Sequence, residues 1–244
     1  MLKKILTLAC TLVAAAYLFL AVTAFNRKPG GQACPGLELA VRDSVYAGFV
    51  TGQDISALLS RQGLDPAGKN TDSIDTRRME EALAGHPLID DVQCYKTPRG
   101  GVCVEVSQRL PILRIMSDGG ESYYVDNKGR TMPLSAKCVA RLPVATGSVT
   151  RAFATDSLYG FGQFLRGDPF WQAQTEQIHV LPDHTIELVP RVGDHIIYLG
   201  TLEGYERKLR RVRLFYEKAL NRVGWNKYSR INVEFDNQII CTRR

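Results

Sequence analysis

The chain has 244 residues, 45% of them hydrophobic and 23% charged, with a net charge of +6. That balance excludes a disordered or collagen-like chain and allows one or two globular cores. The basic residues gather in one helical stretch and at the C-terminus without a nucleic-acid motif, so no nucleic-acid partner is expected, and a basic surface near an anionic bilayer is the simpler reading.

Residues 1–4 are a short tail. Behind them, residues 5–25 form a charge-free apolar run of about twenty residues, which as a helix spans roughly 30 Å of hydrocarbon. The small residues of AVTA at 21–24 also suit a signal-peptidase site, but the apolar run is longer than a cleaved signal needs, so a retained membrane helix is expected. A short N-terminal tail and a long C-terminal part place the tail in the cytoplasm and the rest outside it. Residues 26–36, rich in Gly and Pro, read as a linker.

From residue 37 the pattern predicts strand, helix, helix, strand, strand over 37–109. Leu37, Leu39 and Val41 alternate as in a strand, with Phe49 and Val50 further on. Thr51 caps a short amphipathic helix carrying Ile55, Leu58 and Leu59, and Asp75 caps a second carrying Met79 and Leu83. Gly85 sits where a left-handed helix end is expected, and Pro87 cannot continue the helix. A hairpin follows, its second strand carrying Val102, Val104 and Val106 on one face. If it turns about Pro98 and Arg99, Cys94 faces Cys103 and a cross-strand disulfide is open to it; a shift of one residue removes that pairing.

Residues 110–244 read as a second α+β domain, mainly antiparallel, with flanking helices. Short strands are expected in RLPILRIM, SYYVDNKGRTMPLS and RLPVATGSV, and a helix in DSLYGFGQFLRGDPFW ending near Gly167 and Asp168. Further strands carry Ile178, Val180, Ile186, Leu188, Ile196 and Tyr198. The strongest helix is 203–223, with Tyr205, Leu209, Val212, Tyr216, Leu220 and Val223 in one stripe and Arg207, Lys208, Arg211 and Lys218 on a solvated face. A terminal hairpin turns near Asp236 and Asn237 and offers an open sheet edge, which invites strand addition by a partner.

No residue set points to catalysis. His86, Asp90, Asp91 and Cys94 cluster in sequence, but strand alternation sends Asp90 and Asp91 to opposite faces. His179, His184 and His195 form no short ligand pair, the cysteines fit no zinc spacing, and the Gly-rich pieces lack the ending of a phosphate loop. Neither cofactor, metal site nor enzymatic activity is expected.

HPLIDDV at 86–92, EVSQRLPILRI at 105–115, YYVDNKGRTMPLS at 123–135, the TG at 146–147, IELVPRVGDHIIYLG at 186–200 and GWNKYSRINVEF at 224–235 together resemble the FtsQ/DivIB family of bacterial cell-division proteins, in its Bacteroidetes-type form. The resemblance implies one inner-membrane helix, a periplasmic POTRA domain and a β domain. It implies a non-enzymatic scaffold at the septum that binds FtsL- and FtsB-type bitopic partners and helps regulate septal peptidoglycan synthesis. Carried onto this chain, it places partner binding at Tyr228, Arg230, Ile231, Val233 and Phe235, so that proline at Val233 should abolish capture while the POTRA half stays folded. The short tail and the basic 203–223 helix depart from better-known members. A POTRA-containing translocation or assembly component, or an exported enzyme, are the competing readings; the first lacks tandem repeats and a barrel, the second a convergent catalytic set.

Overall fold

A computed structural model describes residues 2–25, 31–42 and 48–244, with side chains from Thr11 onward except that of Phe25. Residues 26–30 of the expected linker and 43–47 lie outside the described residues. Helix α1 spans Leu2–Phe25. Between Thr11 and Ala24 its apolar side chains are largely exposed, Leu12, Tyr17, Leu18 and Phe19 each by more than 60%. Among the described residues no helix is long and apolar enough to cross a membrane.

The chain divides into two compact units, one within Met1–Ala40, Gly52–Leu83 and Val92–Val106, the other within Val41–Thr51, Ala84–Asp91 and Ser107–Arg244. The first holds β1 (Leu37–Val41), α2 (Gly52–Arg61), a 3₁₀ turn (Thr71–Ser73) and α3 (Thr76–Ala84). With β2 (Ile89–Lys96) and β3 (Val102–Gln108) they give the expected order, and the sheet runs β1-β3-β2. Ile55 and Leu59 of α2, Met79 and Leu83 of α3 and Val102, Val104 and Val106 of β3 are all buried, as one-faced periodicity requires. Asp75 caps α3 by accepting from the Arg78 amide at 3.1 Å. The helix stops at Ala84 as expected, but Gly85 stays outside the left-handed region, so the break belongs to Pro87.

The hairpin turn corrects the cysteine register. The Thr97 amide donates to the Gly101 carbonyl at 2.9 Å and Gly100 takes a φ of 81°, a three-residue turn closed by a left-handed glycine. Thr97 therefore faces Gly101, one residue away from the register that sets Cys94 against Cys103. Both thiols are free and buried.

The second unit is built on a nine-stranded sheet ordered β12-β11-β10-β9-β8-β7-β4-β5-β6. Its strands are β4 (Pro111–Ser117), β5 (Ser122–Asp126), β6 (Thr131–Met132), β7 (Val144–Gly147), β8 (Thr175–Val180), β9 (Ile186–Pro190), β10 (Ile196–Gly200), β11 (Tyr228–Asn232) and β12 (Ile240–Arg243). Helices α4 (Arg151–Thr155), α5 (Ser157–Gly167) and α6 (Pro169–Gln174) connect β7 to β8, and α7 (Tyr205–Phe215) leads from β10 towards β11 through a π turn at Tyr216–Leu220. Each of these connections is a crossover, so β7·β8 and β10·β11 are parallel, as is β4·β7, within an otherwise antiparallel sheet.

Leu158, Phe161 and Leu165 of α5, Trp171 of α6 and Leu209, Val212, Tyr216 and Leu220 pack on Ile115, Ala145, Ile178, Leu188, Ile197 and Ile231 of the sheet. Gly147, the glycine of the TG pair, has a φ of 90°, and a side chain there would collide with the Val180 carbonyl. The neighbouring Ser148 amide donates to that same carbonyl at 2.9 Å, so only glycine lets the chain turn this close to β8.

The terminal hairpin as candidate functional site

The C-terminal hairpin has two causes, one local and one from an element distant in the chain. YSRINVEF alternates in period two, which forms a strand with one buried face. Ile231 and Val233 fill that face, both wholly buried. The connecting loop is then held from α7: Arg207 pairs with Asp236 at 2.8 Å, and Arg211 donates to the Gln238 carbonyl. Lys208, expected on a solvated face, is only 5% exposed and donates to the Thr201 carbonyl at 2.9 Å. Burial lowers its pKa, against the pull of Glu234, Asp236 and Glu203. The basic helix thus holds its own domain's last hairpin, with Lys218 left exposed.

Tyr228, Arg230 and Ile231 lie in β11, and Val233 and Phe235 just beyond it. Tyr228 leans on Phe215 with ring centroids 6.2 Å apart. Arg230 bonds the largely buried Glu187 at 2.7 Å and lies over the Tyr198 ring at 4.4 Å. Phe235 is half exposed. The five therefore share one hairpin but divide in kind: Ile231 and Val233 are core, Arg230 is braced, and Phe235 is free to touch another molecule.

Strand β11 is flanked on both sides, by β10 in parallel and β12 in antiparallel. The outermost strand is β12. The Arg244 amide donates to the Lys227 carbonyl, and backbone groups alternate sides along a strand. The amides of Thr242 and Ile240 therefore face β11, and those of Cys241 and Arg243 face outward. The Val233 amide donates to the Tyr198 carbonyl at 3.0 Å. Proline at Val233 would cut this internal ladder and perturb a buried position, so it tests folding; a test of the edge belongs on β12.

The cluster that opens the β2 hairpin is structural. His86 accepts from the Leu88 amide through Nδ1 at 3.3 Å, closing the turn after α3. Asp90 pairs with Lys128 at 2.8 Å and Arg130 at 2.7 Å; burial works to raise its pKa, but these two cations hold it below the usual carboxylate range. Asp91 is exposed. Burial, with Glu80 and Cys103 nearby, pushes the Cys94 thiol up to about 12, the opposite of an activated nucleophile.

Sequence reasoning missed Asp126, a wholly buried carboxylate bound by Arg109 Nε at 2.8 Å, Arg130 Nε at 3.0 Å and the amides of Lys128 and Arg130. Burial raises its pKa, yet the amides and the Arg109 guanidinium outweigh burial and leave it lowered. Its signal was the DNKG turn, where an Asp folds back on its own amides. Among the described residues no group of three or more His, Cys, Asp and Glu is placed to hold a metal ion.

A β-α-α-β-β unit followed by a mixed sheet, layered with helices and ending in a hairpin with an outward strand, defines a two-domain α+β protein of the POTRA-plus-β-domain class. Residues 32–107 match the POTRA-like domain, and residues 110–242 match the family described as FtsQ/DivIB, C-terminal related. The chain belongs to the FtsQ/DivIB family. It is similar to the cell division protein FtsQ of Salinibacter ruber, 25% identical over 177 residues that cover 67% of this chain and 68% of that protein. It is also similar to the cell division protein FtsQ of Rhodothermus marinus, 26% identical over 179 residues, 68% of this chain and 65% of that protein. The chain thus spans about two thirds of the length of each.

Proposed function

We propose that this protein is a non-enzymatic bitopic scaffold of the bacterial cell-division machinery. Its residues 5–25 cross the inner membrane, residues 1–4 stay in the cytoplasm, and a POTRA domain at 37–109 and a β domain at 110–244 lie in the periplasm at the septum. There it binds FtsL- and FtsB-type partners and helps regulate septal peptidoglycan synthesis. The names of its relatives support the division role. The outward apolar side chains of α1 support the anchor, because a helix apolar on all sides needs a nonaqueous cover.

The observation that carries the binding mechanism is the open edge of β12, where Cys241 and Arg243 direct backbone amides away from the sheet. A partner strand adding there would satisfy those groups, and Phe235 would supply an apolar contact at the hairpin tip. Tyr228, Arg230, Ile231 and Val233 act one strand further in, by holding β12 in register. Arg243→Pro removes one outward amide and leaves the inward ladder intact, so it should abolish capture of the FtsB-type partner by a correctly folded protein. Undiminished capture by that variant would sink strand addition. For the cellular role, depletion should give filaments and a fluorescent fusion should collect at midcell; smoothly dividing cells would rule it out.

A further inference from the structure

The second unit contains a cavity of about 550 Å³ beside β4 and α5, lined by Arg114, Arg141, Arg166, Arg191 and a single acid, Glu176. Glu176 is committed to Arg191 at 2.6 Å. Among the described residues, Arg114, Arg141 and Arg166 have no carboxylate in ion-pair range, so four guanidiniums against one carboxylate leave the cavity three charges positive. Arg114 is fixed in place, because β4 pairs it with Tyr124 on one side and Val144 on the other. Its Nε is buried and has no acceptor. A buried N–H without a partner calls for an explanation.

We propose that this cavity binds a small anion carrying at least two negative charges on phosphate or carboxylate groups. Guanidinium forks match the paired oxygens of both groups, and Arg keeps its charge at any physiological pH. The volume lies in the range of small-molecule sites. Leu142 and Leu165 make part of the wall apolar, which suits a ligand with a carbon body behind its charged end. The cations converge on one cavity instead of running along a strand edge, which favours a compact ligand over an acidic peptide. The cavity is separate in role from the β12 edge, so the two proposals stand or fall independently.

The test is calorimetric titration of the full chain, in a zwitterionic detergent at constant ionic strength, with inorganic pyrophosphate, citrate and hexaglutamate. Saturable one-to-one binding of pyrophosphate or citrate is expected, and the preferred one names the phosphate or carboxylate chemistry. Arg141→Gln with Arg166→Gln, both exposed positions, should weaken that binding at least tenfold, and Arg114→Gln should do the same. Lys218→Gln with Arg222→Gln removes the same charge from residues that do not line the cavity and should change affinity less than twofold. No saturable binding of either small anion would overturn the proposal. Equal weakening by the two double variants would also overturn it, by showing a general field effect, as would tighter binding of hexaglutamate than of both small anions.

Discussion

At the scale of single residues, the buried polar groups of the second unit work as structural fasteners. Removing one partner of a buried charge pair leaves the other uncompensated, at a cost of about 3–5 kcal/mol. Asp126→Ala should therefore lower the stability of the second unit by roughly that much in chemical denaturation, stranding Arg109 and two amides. The lowered pKa of Asp126 means its contribution is present at neutral pH and is lost only as pH falls below the ordinary carboxylate value towards the folded one. His195 acts higher in the range. It is buried, its Nε2 lies 2.6 Å from the Tyr216 hydroxyl, and burial followed by the Arg244 guanidinium depresses its pKa despite Asp194. The unfolded chain then takes up a proton first as pH drops. Stability should fall below the ordinary histidine value of about 6.5, by at most about 1.4 kcal/mol per pH unit, and His195→Gln should flatten that slope in denaturation midpoints measured from pH 7.5 to 5. Gly147→Ala should cost about 1–3 kcal/mol from backbone strain alone, with the collision at Val180 added.

At the scale of elements, the terminal hairpin depends on α7 as much as on its own pattern. Arg207→Ala and Arg211→Ala together remove the ties to Asp236 and Gln238. The Arg207 pair is exposed, so the loss in global stability should stay near 1 kcal/mol, while hydrogen exchange at residues 234–240 should rise clearly above that elsewhere in the sheet. Uniform exchange would show that the ties do not restrain the loop. Phe235→Ala should weaken partner capture by about 1–2 kcal/mol, the scale of an exposed aromatic becoming buried at an interface, without moving the denaturation midpoint. The periodicities of α2, α3 and β3 were readable because each element buries one face, and the cap at Asp75 marks a start that local chemistry sets. The burial of Lys208 was not readable. Its place in the helical pattern looks solvated, and only the arrival of the Thr201 carbonyl beside it makes burial tolerable.

At the scale of the whole molecule, the membrane anchor can be tested apart from the folded units. Replacing Leu12 and Leu18 by Arg should shift the protein from the membrane to the soluble fraction, since a charge at mid-membrane costs about 2.5–3.5 kcal/mol per residue on insertion scales. Unchanged membrane association would remove the anchor from the proposal. The sequence alone determined the order of elements in the first unit and the α+β class of both, but not the short helices α4 and α6 of the second. It did so because hydrophobic period, caps and turn residues act over a few positions and need no distant partner. Only the tertiary structure decided that β11, which carries Arg230 and Ile231, is an inner strand and β12 the edge, that Cys94 does not face Cys103, and that Asp126 lies among Arg109 and Arg130. These follow from strand order, register and long-range burial, which bring together residues whose separation in the chain leaves no local mark.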